Sequence, residues 1–479
     1  MERSTFGRRA LRRVCTAAAP GQRSNWCENV PFAHRAFAAP ESVPELQDMT
    51  RDASRLRVLG SGHSFSSLCR SEDTLVSLAF MRNILEIEVR SETDCIVHVE
   101  GGATLGDVVR HLAPRGFALR NIPSLPHVTV AGALATATHG SGLQSGAEGG
   151  LPSMCQAIEF VAADGELVAY ERGRDAEFAA AVVHLGALGP VSRVALACVP
   201  AFEVVQHVYG GVDLDEMLPR FEELARSVDS LTVGANLGAG GGRGAGMLWM
   251  RYFDRADGRG TPPPPAPPPT LLGGALRHEP VPFYESQLGV PATRTGPWHD
   301  VPSFFMDGMR DVNMPRVACQ SEYFVPLGRA AEALHAAREV ARRWPGWPAS
   351  EAWADMNREV PVFHCELRAI PRDQLSGMSP FAARDSCSIH FTWGGWEHAP
   401  RIRHMVAELE AAIKPFGALP HLGKLNFFSS AELRAAYPAG AVDEFTALAR
   451  SHDPNGKFFN ALLRAQLLGE GEAHEEYAF

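Results

Sequence analysis

Between Asn121 and Gly142 the chain reads N-I-P-S-L-P-H-V-T-V-A-G-A-L-A-T-A-T-H-G-S-G, and its small residues leave little bulk from which to build a core. Such a run can be satisfied in two ways. It can pack as a tight helix that stops at a glycine. Alternatively, the backbone N–H groups and hydroxyls at Gly132, Thr136, Thr138, His139, Gly140 and Ser141 can lie against a large flat or anionic ligand that bulkier side chains would keep out. Composition leaves both open.

Arg57 to Phe65 has a related character. It reads R-V-L-G-S-G-H-S-F, a short apolar run that breaks at Gly60, Ser61 and Gly62 and delivers His63, followed by Ser64 and Phe65. Glycine at two of three positions lets the backbone turn sharply and expose its N–H groups to an anion such as a pyrophosphate. Taken alone, a glycine-rich turn with one histidine is usually only a turn.

The surrounding residues read as α+β rather than as the regular alternation of a doubly wound sheet. The pattern predicts a helix over Val43 to Arg55, strands over Thr74 to Leu78, Ile84 to Val89 and Cys95 to Glu100, and a helix Leu105 to Leu112 capped by Thr104. Ala163-Asp164-Gly165 turns a hairpin, and Leu185 to Val194 leads into a closing strand. Composition shifts near Pro200, which marks a domain boundary. The glycine cluster Gly238 to Gly246 partly matches a dinucleotide fingerprint through Gly240, Gly242 and Ala245, but the strand-like Met247-Leu248-Trp249 follows where a helix is required. Pro262 to Pro269, broken only by Ala266, is a stiff polyproline segment within a surface insertion at 258–275.

Two later strands share one design. In Val362 to Ala369, alternation puts Phe363, Cys365 and Leu367 on one face and His364, Glu366 and Arg368 on the other. Ser388 to Trp393 repeats it, with Ile389, Phe391 and Trp393 opposed to Ser388, His390 and Thr392. Either polar face alone suits water. Together, with aromatic residues behind them, they also suit the floor of a polar cavity. Pro420-His421-Leu422-Gly423-Lys424 is a turn that presents a lysine between apolar segments.

Bulk properties exclude several classes. A formal net charge of -10 argues against general nucleic-acid binding. No run reaches the ~18 consecutive apolar residues of a membrane-spanning helix. The 9 cysteines are scattered and never form C-x-x-C, so neither a disulfide framework nor a metal site is expected, and a reducing, cytoplasmic setting fits. Residues 1–24 form a basic leader, with Arg3, Arg8, Arg9, Arg12, Arg13 and Arg23 against Glu2, a composition shared by organelle transit peptides.

G-S-G-H-S-F at 60–65, S-L-P-H at 124–127, A-G-A-L-A-T-A-T-H-G-S-G at 131–142, L-G-A-L-G at 185–189, E-L-R at 366–368, H-F-T-W at 390–393, H-L-G-K at 421–424 and D-P-N-G-K-F-F-N at 453–460 occur in that order. In this arrangement the chain resembles the alditol oxidases, with xylitol oxidase as a close relative, within the vanillyl-alcohol-oxidase superfamily of flavoproteins. The resemblance covers roughly residues 25–463. It implies a two-lobed FAD-binding domain over 25–200, completed by 426–479, and a cap domain with a large antiparallel sheet over 201–425.

By the same resemblance, His63 is joined covalently to the 8α-methyl of FAD. With no cysteine between Cys95 and Cys155, a single link is expected. Leu59, Gly60, Ser61, Gly62, Ser64 and Phe65 would hold the cofactor with Ser124, Thr129, Gly132, Thr136, Ala137, Thr138, His139, Val191 and His421. Ser124, Glu366, Arg368, Thr392 and Lys424 would hold a polyol. Arg368 and Lys424 would polarise its terminal hydroxyl, Glu366 would balance the charge of both cations, and Lys424, made neutral by its cationic neighbour, would serve as general base with His390 as the alternative. The implied reaction oxidises that hydroxyl and reduces O2 to H2O2, in a monomer acting on a small molecule. Aldonolactone oxidation, by an oxidase or dehydrogenase of the gulonolactone type, is the close competitor, and a flavin-free binding protein is the reading from another class. The family's H-W-G-K is H-L-G-K here, so Leu422 changes the pocket wall beside the lysine.

Overall fold

The computed structural model describes residues 23–25, 30–143, 149–238, 245–256, 258, 260–279, 281–283, 286–290, 292–301, 319–344, 362–394 and 399–471. The basic leader up to 22, the centre of the glycine cluster at 239–244 and the acidic tail from 472 lie outside the described residues.

The first sheet is small and parallel, in the order Ala36–Ala38, Thr74–Ser77, Leu56–Leu59. The helix Val43–Asp52 begins at Ser42, whose side chain accepts from Glu45 N. It ends before the expected Arg55 because the Asp73 carboxylate takes the N–H groups of Ser54 (3.0 Å) and Arg55 (3.4 Å) and pulls the chain into the next strand. The second sheet is antiparallel, in the order Leu167–Glu171, Cys155–Val161, Val191–Pro200, Cys95–Glu100, Ile84–Val89. Thr104 caps Leu105–Leu112 reciprocally with Asp107.

After Pro200 the chain enters a third, larger antiparallel sheet. Its central order is Glu203–Val212, Gly246–Asp254, Ser230–Ala235, Val362–Ile370, Ser386–Trp393, Cys319–Pro326, Leu419–Pro420. The helices Ala330–Ala341 and Ala399–Ile413 pair with each other behind it. Trp344 lies 5.8 Å from the Trp393 ring and 6.5 Å from that of Phe391, so the apolar face is sealed. Each fully buried aromatic there contributes roughly 2–3 kcal/mol. The end of the proline-rich insertion forms a short hairpin, Thr270–Leu271 with Gly274–Leu276, that extends the sheet edge beside Tyr209. Among the described residues no helix is long and apolar enough to cross a membrane.

The last part of the chain returns to the first sheet. Arg57 donates to the carbonyls of Leu68 (2.8 Å), Leu185 (2.7 Å) and Phe458 (2.6 Å). Lys457 Nζ donates to Thr50 O and Ala163 O at 2.6 and 2.8 Å. Arg57 thus ties D-P-N-G-K-F-F-N to the glycine-turn strand, and Lys457 ties it to the helix Val43–Asp52 and the hairpin turn at Ala163.

Candidate active site

The glycine turn and the small-residue stretch converge on one hydroxyl. A Cβ at Gly60 would lie 2.6 Å from Thr129 Oγ1, and one at Gly132 would lie 2.8 Å from the same atom. Ser61 Oγ accepts from Thr129 N at 2.9 Å, and Gly62 has φ +71. The stretch adopts parts of both expected forms. A short helix, Val130–Ala135, stops at Thr136, and Ala137 then takes a left-handed φ of +54, which costs a non-glycine residue about 1 kcal/mol. Strain of that kind collects where a backbone must present itself to something.

His63 stands at the rim of this cradle with both ring nitrogens shielded from solvent. Its ring lies 4.8 Å from that of His127. Burial, then the nearby His127 and Lys424, hold His63 well below the ordinary histidine range, so the imidazole stays neutral. Gly423 O accepts from Phe65 N (2.8 Å) and from Ser64 Oγ (2.7 Å), which docks the lysine turn onto the histidine turn. The other side of the lysine turn is pinned to the large sheet by His421 N to Glu322 O and Leu425 N to Gln320 O, both 2.9 Å. A Cβ at Gly423 would be crowded, 3.1 Å from both Thr136 Cγ2 and His421 Cε1. His421 is pushed down to about 3 by burial and then by Lys424, and its Nδ1 accepts from Gly423 N. Leu422 joins the apolar core.

The polar face of the large sheet meets these turns. Strand register sets Glu322, His390 and Glu366 directly opposite one another across three strands, with Ser388 opposite Arg368. The alternation expected for these strands is present, and the polar face is covered: Ser388, His390 and Thr392 are all buried. Arg368 Nε meets Glu366 Oε1 and Nη2 meets Oε2, each at 2.9 Å, and Nη2 also donates to Ser124 Oγ at 3.2 Å. His390 Nδ1 lies 3.8 Å from Glu366 Oε2. Burial and Lys424 push His390 down to about 4, and its buried Nε2 has no hydrogen-bond partner among the described residues.

The charge balance differs from the expected one. Glu366 serves Arg368, whereas Lys424 Nζ lies 2.6 Å from Glu322 Oε2. Glu322 is fully buried, and its other oxygen receives Ser388 Oγ and stands 3.1 Å from His139 Nε2. Burial would raise this carboxyl, yet Lys424 and His139 outweigh it and hold it well below the usual range. Lys424 therefore has its own counter-charge, contrary to the expectation that Glu366 balances both cations. His139, expected beside the cofactor, packs edge-on against Phe324 and Phe381 and faces Glu322. Val191 is buried at the start of its strand, with its carbonyl where a Cβ on Gly101 would fall. Sequence reasoning passed over Glu322 and His127; a glutamate amid Tyr323, Phe324 and Val325 was the available signal for the first.

The cradle suits FAD. Gly60 and Gly132 let Thr129 close the turn against the small-residue stretch, Gly62 and Ala137 hold left-handed backbone beside it, and the neutral imidazole of His63 retains the lone pair that attachment to an electron-poor ring requires.

Residues 34–170 match the family described as FAD binding domain, and residues 311–466 match that described as D-arabinono-1,4-lactone oxidase. The chain is 32% identical over 451 residues to an alditol oxidase of Streptomyces sp., covering 93% of this chain and 99% of the relative. It is 27% identical over 476 residues to an L-gulono-1,4-lactone dehydrogenase of Mycobacterium tuberculosis, covering 93% and 98%. Among solved structures, a cholesterol oxidase from B. sterolicum superposes with a TM-score of 0.70 at 15% identity, over 93% of this chain and 96% of that one.

Proposed function

The chain belongs to the alditol oxidase family, flavoproteins of the vanillyl-alcohol-oxidase type, and from that premise we propose that it oxidises the terminal hydroxyl of an acyclic polyol of the xylitol or sorbitol type to an aldehyde, with O2 reduced to H2O2. The observation that supports this best is the alternation of donors and acceptors on one covered sheet face and the loops against it: Ser124 and Arg368, Glu366, the unpaired Nε2 of His390, and Lys424 at the edge. Successive hydroxyls, each both donor and acceptor, match such a row.

In this reading residues 25–200 with 426–479 hold FAD, and 201–425 form the cap. FAD, when bound, supplies the hydride acceptor. Gly60, Ser61, Gly62, Gly132 and the backbone from Thr136 to Thr138 cradle it, and His63 carries it covalently through the 8α-methyl. Arg368 and Lys424 hold the oxygen of the reacting hydroxyl by charged donors, while Ser124, Glu366 and Thr392 position the rest of the polyol. His390 Nε2 takes the hydroxyl proton in preference to Lys424, because Lys424 is already committed to Glu322 and the Glu366 carboxylate stands ready beside the imidazolium that forms. The protein acts as a monomer in the cytoplasm.

Initial rates with xylitol and sorbitol, against gulono-1,4-lactone, with peroxide detection, test the reading. Turnover of the polyols with release of peroxide is expected. Preference for the lactone overturns it in favour of an aldonolactone oxidoreductase, the activity named for the 27% identical relative.

A further inference from the structure

We propose that Glu322 is the positioning residue of the lysine: it fixes Lys424 as an ammonium ion aimed at the substrate oxygen, so that Lys424 donates to the reacting hydroxyl and takes no proton from it. The substrate in this statement rests on the polyol reading above; the geometry does not.

Glu322 holds the lysine turn twice. Its main-chain oxygen accepts from His421 N at 2.9 Å, and its side chain meets Lys424 Nζ at 2.6 Å. Both carboxylate oxygens are engaged, since Oε1 receives Ser388 Oγ and faces His139 Nε2, and the side chain is only 2% exposed. Water therefore does not compete for it, and its rotamer is locked from three elements. His139 is fixed in turn: its Nδ1 lies 2.9 Å from Gly140 O, which can only accept, so Nδ1 carries a hydrogen.

A lysine acting as general base must rest as a neutral amine. Here that would leave the buried Glu322 charge without its nearest cation, in an interior where such charge is poorly tolerated. Among the described residues, the other ionisable groups that interact with Lys424 include His63, His390 and His421, and those that interact with Glu322 include His139, His390 and Arg368. Of the groups that bear on Lys424, Glu322 is the carboxylate in direct contact. It supplies the compensation.

The chain has only three lysines, Lys414, Lys424 and Lys457, which makes a direct test clean. On the flavin-loaded enzyme, trace acetic anhydride labelling across pH, read by peptide mass, reports the pH at which Lys424 becomes reactive, with Lys414 as internal reference. In Glu322→Gln the Lys424 midpoint should fall by about one pH unit or more relative to wild type. With a polyol, kcat should drop about 100-fold with KM changed far less, and kcat/KM should decline on the alkaline side at the same lowered pH. Glu322→Asp, which keeps the charge, should keep the wild-type midpoint. An unmoved midpoint in Glu322→Gln overturns the proposal, and so does a kcat/KM that rises as Lys424 loses its proton, the mark of a base. If Glu322→Gln yields no folded enzyme, the wild-type pH–rate profile decides: a kcat/KM that rises over the range where Lys424 becomes reactive overturns the proposal, and one that declines there supports it. Failure of wild type to turn over any polyol sinks the substrate reading while the labelling still decides the role of Glu322.

Discussion

The two carboxylate–cation pairs on the floor of the site are built in opposite ways. Glu366 and Arg368 stand two residues apart on one strand, each 16% exposed, and are assembled as soon as the strand is extended. Glu322 and Lys424 are 102 positions apart, and their pair exists only once the lysine turn has docked on the edge of the large sheet. The first pair opens toward Ser124 and the space where substrate would lie. The second is closed behind, with Glu322 engaged by Ser388 and His139. A pair whose carboxylate can be hydrated can be adjusted by a ligand, whereas a carboxylate sealed from water, as Glu322 is at 2% exposure, fixes its cation in place.

Breaking each pair should therefore have unequal costs. Lys424→Met removes the nearest cation from the buried Glu322 and leaves it His139 and Ser388, so stability should fall by about 3 kcal/mol alongside a ~10³-fold loss of kcat. Arg368→Met should cost ~10²- to 10³-fold in kcat/KM but only about 1 kcal/mol, because Glu366 can find water. Denaturant midpoints and steady-state rates of the two variants decide; equal losses of stability would erase the distinction.

Acid should act first through the buried neutral histidines of both domains. His184, His390 and His421 have folded values pushed down, largely by burial, to about 3, 4 and 3, while the unfolded chain titrates near 6.5. Below pH 6.5 the unfolded state binds more protons, so stability falls as pH drops from about 6.5 toward 4, by roughly 1.4 kcal/mol per pH unit for each histidine. The Glu322 carboxylate has the opposite timing. Its folded value is lowered, so its contribution is present above its unfolded value and is lost only as pH falls through that lower folded one. Urea midpoints from pH 7 to 4 should show this decline, and a flat profile would refute the buried neutral histidines.

On the cofactor side, His63→Ala should leave FAD bound but extractable by acid, and flavin that remained attached would remove the histidine from its assigned role. The smallest effect belongs to the open pair's neighbour: Ser124→Ala should raise KM for a polyol about 5-fold, near 1 kcal/mol, with kcat little changed.

Alternation made Glu366, Arg368, His390 and Thr392 legible, because a strand sorts its side chains by parity alone. The turn at His63 and the lysine turn were legible as local departures from pattern. Glu322 was not. Its strand reads C-Q-S-E-Y-F-V-P, where Phe324 breaks the polar parity, and its partner is supplied by a distant turn. Nor could composition choose between a packed helix and a ligand surface at 121–142, since the choice depends on Gly60 and Gly132 meeting at Thr129. The early end of the helix at Asp52 depends likewise on Asp73, a contact made only across the fold.

The double acceptance at Gly423 O closes a span of 359 residues from Ser64. On the ribosome, His63 emerges long before the turn that completes its surroundings, so an attachment requiring both can form only after most of the chain has been made. With the flavin on His63 as proposed, the acid-stable flavin carried per molecule would count chains whose first and last segments have met, giving each variant a built-in measure of how many copies reached maturity.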